Sequence, residues 1–310
     1  MQYWYKNFLS DYNTEVSNKT WPPQKIDIIN ESTGEVKEKP LYVFKEENLG
    51  EKMSIDDKAI GNDGFSILSN QETGKIALMV ESTKAEEVQK SIELFGEKLS
   101  VVKNISMDMS ATYALVCNNL MPNATQVIDK FHVMKYVYEA VGEVRKEISK
   151  DLSSTLTKGK KKTDEDKHKL SDIERLRRIN HAITQSPDKW NEEMKNTINQ
   201  VFEKYNKLKT AYQISQDFKD WYNYKNRNKT SIDIKYNLYK WYHKAIKIDK
   251  FASVVKMIRK HEDQVLNFFN NGMTSAKAER LNGKIERFAS SNYGIKNKDF
   301  FIYRLAGYFS

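Results

Sequence analysis

A chain of 310 residues is long enough for a sizeable core and more than one structural unit. Its 51 Lys and Arg against 42 Asp and Glu leave a formal net charge of +9, unevenly spread: residues 1–150 carry 18 basic and 23 acidic side chains, residues 151–310 carry 33 and 19. One cysteine, Cys117, excludes an internal disulfide and a zinc site built from thiolates. No apolar run approaches the roughly 20 residues of a membrane helix, and Met1-Gln-Tyr-Trp-Tyr-Lys lacks the layout of a signal peptide, so a soluble intracellular protein is expected.

Residues 1–50 begin with aromatics and turn through Trp21-Pro-Pro and Glu35–Pro40; they read as an N-terminal appendage of uncertain fold. From 51 to 150 strand and helix signals alternate. Strands are predicted near 53–57, 64–69, 76–82, 101–107 and 125–129, and helices near 85–98, 109–119 and 132–150. Short turns at Asn62-Asp-Gly and Glu72-Thr-Gly imply an antiparallel meander followed by α/β crossovers. Asp56 and Asp57 form an acidic pair on the first strand. Asp108 stands just beyond the fourth, at the carboxyl end where α/β sheets collect ligands.

Strand signals fade between 151 and 272. A charged, turn-prone stretch around Lys158–Lys169 precedes helical patterns near 170–184, 189–207, 209–223, 232–247 and 250–270. This reads as an all-α insertion domain, with 273–310 closing the core. The aromatics of Trp221-Tyr-Asn-Tyr224 and Tyr239-Lys-Trp241-Tyr-His243 carry two readings: core residues at helical spacing, or rings interleaved with Lys and Asn on which unpaired bases stack. On the second reading Trp241 is the first choice and Trp221 the second.

The helical run Thr274–Phe288 separates three faces at 100° per residue. Glu279, Asn282 and Glu286 share one, Leu281, Ile285 and Phe288 a second, and Arg280, Lys284 and Arg287 a third. Such a helix can pack on a core while offering a carboxylate to a metal and cations to a polyanion.

Taken together, Ile55-Asp-Asp-Lys, Asp108-Met-Ser, Pro122-Asn-Ala, Asp129-Lys-Phe-His132, Ala276-Lys-Ala-Glu279-Arg-Leu-Asn282-Gly-Lys-Ile and Tyr293-Gly294-Ile…Phe300-Phe301-Ile-Tyr-Arg304-Leu305 resemble a family. They are similar, in order and spacing, to DDE transposases of bacterial insertion sequences, in the ISL-three group and its ISAon-like branch, from about Ile55 to Leu305. Asp57 departs from the Glu that usually follows the first Asp, and Glu286 stands where Lys or Arg is common.

The resemblance implies an RNase H-like (retroviral-integrase-type) α/β core interrupted by the helical insertion, with Asp56, Asp108 and Glu279 as catalytic and metal-binding residues. It implies Mg²⁺, with Mn²⁺ as a substitute, and two ions per site in a bacterial, nucleoid-associated cytoplasmic protein. Two divalent ions roughly 4 Å apart serve an attacking water and a leaving oxygen, and hard cations take oxygen ligands. Asp129, His132 and Asn282 are expected to orient the ligands or the scissile phosphate; for His132 a buried cap of the next helix is the alternative. Arg280, Lys284 and Arg287, with Trp241 and Trp221, are the expected DNA contacts.

The expected partners are double-stranded DNA, at element ends and target, and further copies of this chain. With no Cys pair and fewer than sixty residues before Asp56, end recognition is expected from another polypeptide or from a truncated portion of the gene; the competing reading is that residues 1–50 and the insertion domain read the ends directly. Two other functions remain compatible: a nuclease of the same core that never joins strands, and a catalytically silent DNA-binding descendant.

Overall fold

The computed structural model describes residues 6–7, 10–29, 34–157, 163–271, 276–291 and 297–310, with the backbone alone at 271, 276–279 and 291. Two units divide the chain: residues 1–129 with 271–310, and residues 130–270.

The first unit is built on a seven-stranded mixed sheet in the order β1-β2-β5-β4-β3-β6-β7. After a short helix α1 (Tyr12–Ser17) come β1 (Gln24–Ile29), β2 (Val36–Phe44), β3 (Lys52–Ile60), β4 (Asp63–Asn70), β5 (Ile76–Val80), α2 (Ala85–Glu93), β6 (Asn104–Met107), α3 (Ala111–Leu120) and β7 (Thr125–Ile128). β3, β4 and β5 form the expected antiparallel meander, and β6 and β7 run parallel to β3 and to each other. A two-residue turn joins β3 to β4, with Gly61 in the left-handed region at φ 66°, a conformation that glycine adopts without steric cost.

Residues 24–44, read as part of an appendage, instead supply β1 and β2, and β2 pairs antiparallel with β5. Pro40 normally argues against an interior strand because it lacks an N–H. Here it lies next to an irregularity in register between Leu41 and Val43. The fourth predicted strand is shorter than expected: Gly96–Val101 forms a 3-10 turn, and β6 begins at Asn104.

β5 is buried along its whole length and β4 from Phe65 onward, as strands covered on both faces are. Side chains alternate across a strand with period two, so neighbours in β4 report on opposite faces. Phe65 and Ile67 pack with Leu281 and Ile285 of α11 (Ala276–Ser291) and with Phe301, Ile302 and Leu305 of α12 (Lys298–Phe309). Ser66, between them, hydrogen-bonds the Tyr113 hydroxyl of α3 at 2.8 Å.

The second unit is helical: α4 (Lys130–Ser154), α5 (Asp164–Arg178), α6 (Glu192–Lys204), α7 (Asn206–Trp221), α8 (Ser231–Ala245), α9 (Asp249–Lys260) and α10 (Glu262–Asn271). α4 packs against α5, α7 and α9. A capping box at Thr163 and Asp166 starts α5 upstream of the predicted position, and the single long pattern near 250–270 breaks at His261 into α9 and α10. Among the described residues, no helix is long and apolar enough to cross a membrane.

Candidate active site

Strand register assembles the acidic residues. In the β3–β4 ladder Asp56 faces Ile67, Asp57 faces Ser66 and Lys58 faces Phe65, and residues directly opposite share a face. Asp56 and Lys58 therefore lie on the α11 side and Asp57 on the α3 side. The contacts agree. Asn282 Nδ2 of α11 donates to Asp56 Oδ2 at 2.5 Å, and Lys58 Nζ meets Glu286 Oε1 of α11 at 2.5 Å. Asp57, on the other side, accepts from the Tyr113 hydroxyl and, at 3.2 Å, from Ser66 Oγ. A slip of one residue would exchange the two acids.

The parallel ladder adds Asp108. Ile55 of β3 pairs with Met107 of β6, and Met107 pairs with Ile128 of β7. The next residues in that row are Asp56, in the middle of β3, and Asp108 and Asp129, just past the carboxyl ends of β6 and β7. The Asp129 N–H extends the ladder to Met107 O at 2.8 Å. α4 continues directly from β7 and places His132 in its first turn. Asp56 and Asp108 each offer a carboxylate oxygen within 4.8 Å of the other, and both residues are half-buried.

Two carboxylates so close form a donor pair suited to a divalent cation, which offsets the repulsion between the acids. Asp57 feels the same crowding. Burial pushes its carboxyl up to about 6, the Ser66 hydroxyl pulls it down, and the Asp108 charge adds to the rise.

A family model described as Transposase, for the DDE type of the ISL3 (ISL-three) group, matches residues 53–305. The chain belongs to this transposase family. No curated protein matches it. The matched span runs from the start of β3 into α12, so it takes in every acidic residue described above.

The expected site residues of this transposase chain fall into distinct places. Asp56 and Asp108 come together, Asn282 holds Asp56, and His132 stands in the first turn of α4. Asp129 is next in the row. Glu279 lies in α11 one turn before Asn282, and its side chain lies outside the described residues. Arg280, Lys284 and Arg287 are exposed on the same helix, opposite in character to the buried Leu281 and Ile285.

Trp221 and Trp241 lie mostly within the helical unit. They are 9% and 3% exposed, and their indole N–H groups donate to Ile234 O at 3.0 Å and Ile214 O at 2.9 Å. Both rings pack mostly into the helical unit, which supports the core reading, and each also lines a groove between α7 and α8.

Two features escaped the sequence reading. The Asn282–Asp56 and Glu286–Lys58 contacts join positions more than two hundred residues apart, but the spacing held a hint: i and i+4 on a helix match i and i+2 on a strand in rise. Glu286 has a structural partner in Lys58. Cys117 is buried, as expected of a small core residue, and burial pushes its thiol up to about 12.

Proposed function

We propose that the chain is a DNA transposase that hydrolyses phosphodiester bonds at element ends and transfers the freed strand end into target DNA. The observation that supports this reading is the closeness of the Asp56 carboxylate, within β3, to that of Asp108, just past the end of the adjacent parallel strand β6, inside the segment matched by the family. The strand order β5-β4-β3-β6-β7, antiparallel then parallel, supports an RNase H-like core for residues 51–150 and 273–310, with 151–272 as its helical insertion and residues 1–50 as an N-terminal addition.

Asp56, Asp108 and Glu279 would hold the metal, Mg²⁺ in the first instance and Mn²⁺ as its substitute, two ions to a site. Bound there, the ions supply an activated water and stabilise the leaving oxygen. The chain's own residues prepare the site. Asn282 fixes one rotamer of Asp56 by a charge-assisted hydrogen bond. Asp57 is turned away to Tyr113 and Ser66, which leaves Asp56 as the acid presented to substrate. Asp129, next to Asp108 in the row, and His132, in the first turn of α4, would orient the ligand groups or the scissile phosphate.

DNA would cross the exposed Arg280, Lys284 and Arg287, whose charge complements phosphate. The helical unit adds a broad field, with 31 basic against 19 acidic residues between 130 and 270. Assembly of further copies on the two element ends completes the reading.

The test is a strand-transfer assay with pre-cleaved and uncleaved element ends. Wild type with Mg²⁺ or Mn²⁺ should yield cleaved and joined products. Asp56→Ala, Asp108→Ala and Glu279→Ala should each abolish both while retaining DNA binding. Cleavage without joining would indicate the nuclease, and metal-independent inertness of the wild type the silent descendant.

A further inference from the structure

The helical unit carries an aromatic surface that the buried tryptophans do not account for. Along α8, Ile234, Leu238, Trp241, Tyr242 and Ala245 face the core. The opposite stripe holds Ile232, Tyr236 and Tyr239, which are 78%, 59% and 47% exposed. Lysines lie among them: Lys240 Nζ stands 4.9 Å from the centre of the Tyr236 ring, and Lys235 Nζ 5.8 Å from that of Tyr239.

Tyr239 is anchored by its hydroxyl to Glu262 Oε1 at 2.9 Å, and Lys235 also pairs with Glu262 at 3.4 Å. Beside this stripe opens a groove of about 450 Å³ between α7, α8 and the turn that joins them. Its walls include Lys229, Lys240 and Lys244, with Asp217, Asp220 and Asn237. Lys244 is paired with Asp217 at 2.9 Å, whereas neither Lys229 nor Lys240 forms an ion pair among the described residues. Lys240 thus belongs to both features: it caps the Tyr236 ring and lines the groove.

Exposed rings flanked by cations, in a unit with net charge +12, match a ligand that is both anionic and rich in flat apolar faces. Unpaired nucleobases offer such faces, while those of a duplex are covered by neighbouring pairs. An acidic protein would satisfy the lysines but would not need rings open on one face. We propose that the Tyr236 face of α8 binds single-stranded DNA, with a base stacked on Tyr236, a second against Tyr239, and backbone phosphates at Lys240 and Lys229 in the groove.

The surface needs no divalent metal, so the inference is tested in EDTA, apart from the cleavage chemistry proposed above. The experiment measures binding of fluorescent oligo-dT to the full chain across a salt series. Tyr236→Ala should weaken binding about five- to hundredfold, the range for loss of one base–ring stack, with an unchanged salt slope. Tyr236→Phe, which keeps the ring, should bind like wild type. Lys240→Ala should lower the log–log salt slope by about 0.7, the contribution of one phosphate contact on a single strand.

In parallel, an oligonucleotide carrying 5-iodouracil should cross-link to Tyr236 or Tyr239, mapped by mass spectrometry. Tyr236 is exposed, so its substitution leaves the core untouched. Equal affinity of Tyr236→Ala and wild type, an equal loss on a blunt duplex of the same length, or cross-links only outside α8 would each overturn the proposal.

Discussion

Asn282→Ala removes a side chain of α11 that hydrogen-bonds Asp56. The lost bond, Asn282 Nδ2 to Asp56 Oδ2 at 2.5 Å, is charge-assisted, a class that contributes about 1.5–3 kcal/mol. Asp56 and Asn282 are both half-buried, which argues for the low end. About 1.5 kcal/mol corresponds to roughly a tenfold change in an equilibrium constant, the lower edge of what removing an orienting partner costs a metal site. If the bond holds Asp56 in its ligating rotamer, calorimetric titration of the full chain with Mn²⁺ should show about tenfold weaker binding by Asn282→Ala.

Thermal unfolding without metal should move by only a few degrees, because Leu281 and Ile285 still seat the helix. Asn282→Asp should behave differently. A third carboxylate beside Asp56 and Asp108 should lower metal-free stability and raise the stabilisation gained on adding Mn²⁺. Metal binding by Asn282→Ala equal to or tighter than wild type would refute the orienting role and make Asn282 a competitor for the carboxylate.

Other outcomes follow from the same contacts. The Lys58–Glu286 pair has a half-buried cation but a Glu that is 70% exposed, so Glu286→Gln should cost under about 1 kcal/mol in urea unfolding; the two partners reversed together should recover most of the loss from either reversal alone. Ile285→Ala, at a position 2% exposed, should cost about 2–5 kcal/mol. Because the Asp57 carboxyl is raised to about 6 by burial and the Asp108 charge, the folded state holds its proton more tightly than the unfolded one. Stability should fall as pH rises from about 4 to 6, and a pH series of unfolding curves for Asp57→Asn should lack that fall. On the DNA side, Arg287→Ala should flatten the log–log salt slope of duplex binding by roughly one unit; an unchanged slope places that side chain off the DNA path.

The strands that carry the acids were legible because their patterns are local. β3 to β5 alternate or run apolar between glycine turns, and β6 and β7 are short, mostly buried segments just before Asp108 and Asp129. What escaped was pairing. Which of Asp56 and Asp57 faces α11 depends on register with Ile67 and Ser66, and on a helix more than two hundred residues away.

β1 and β2 were hidden by Pro40, which weakens any strand pattern, and by the turn-rich composition around it. The aromatic residues teach a different lesson. Trp241 sits on the stripe Ile234, Leu238, Trp241, Tyr242, Ala245, whose helical spacing already marked it as core. Counting that stripe would have turned attention to Tyr236 and Tyr239 on the other side; residue type alone did not distinguish the faces.

Metal at the acidic row is the most direct test of the central claim. Crystals of the full chain soaked in Mn²⁺ and measured at the manganese absorption edge report the ion's position without any assumption about activity. The expected result is an anomalous peak bridging the Asp56 and Asp108 carboxylates, lost in Asp108→Asn. Saturating Mn²⁺ with no peak at that pair, in crystals where the row is open to solvent, would contradict it.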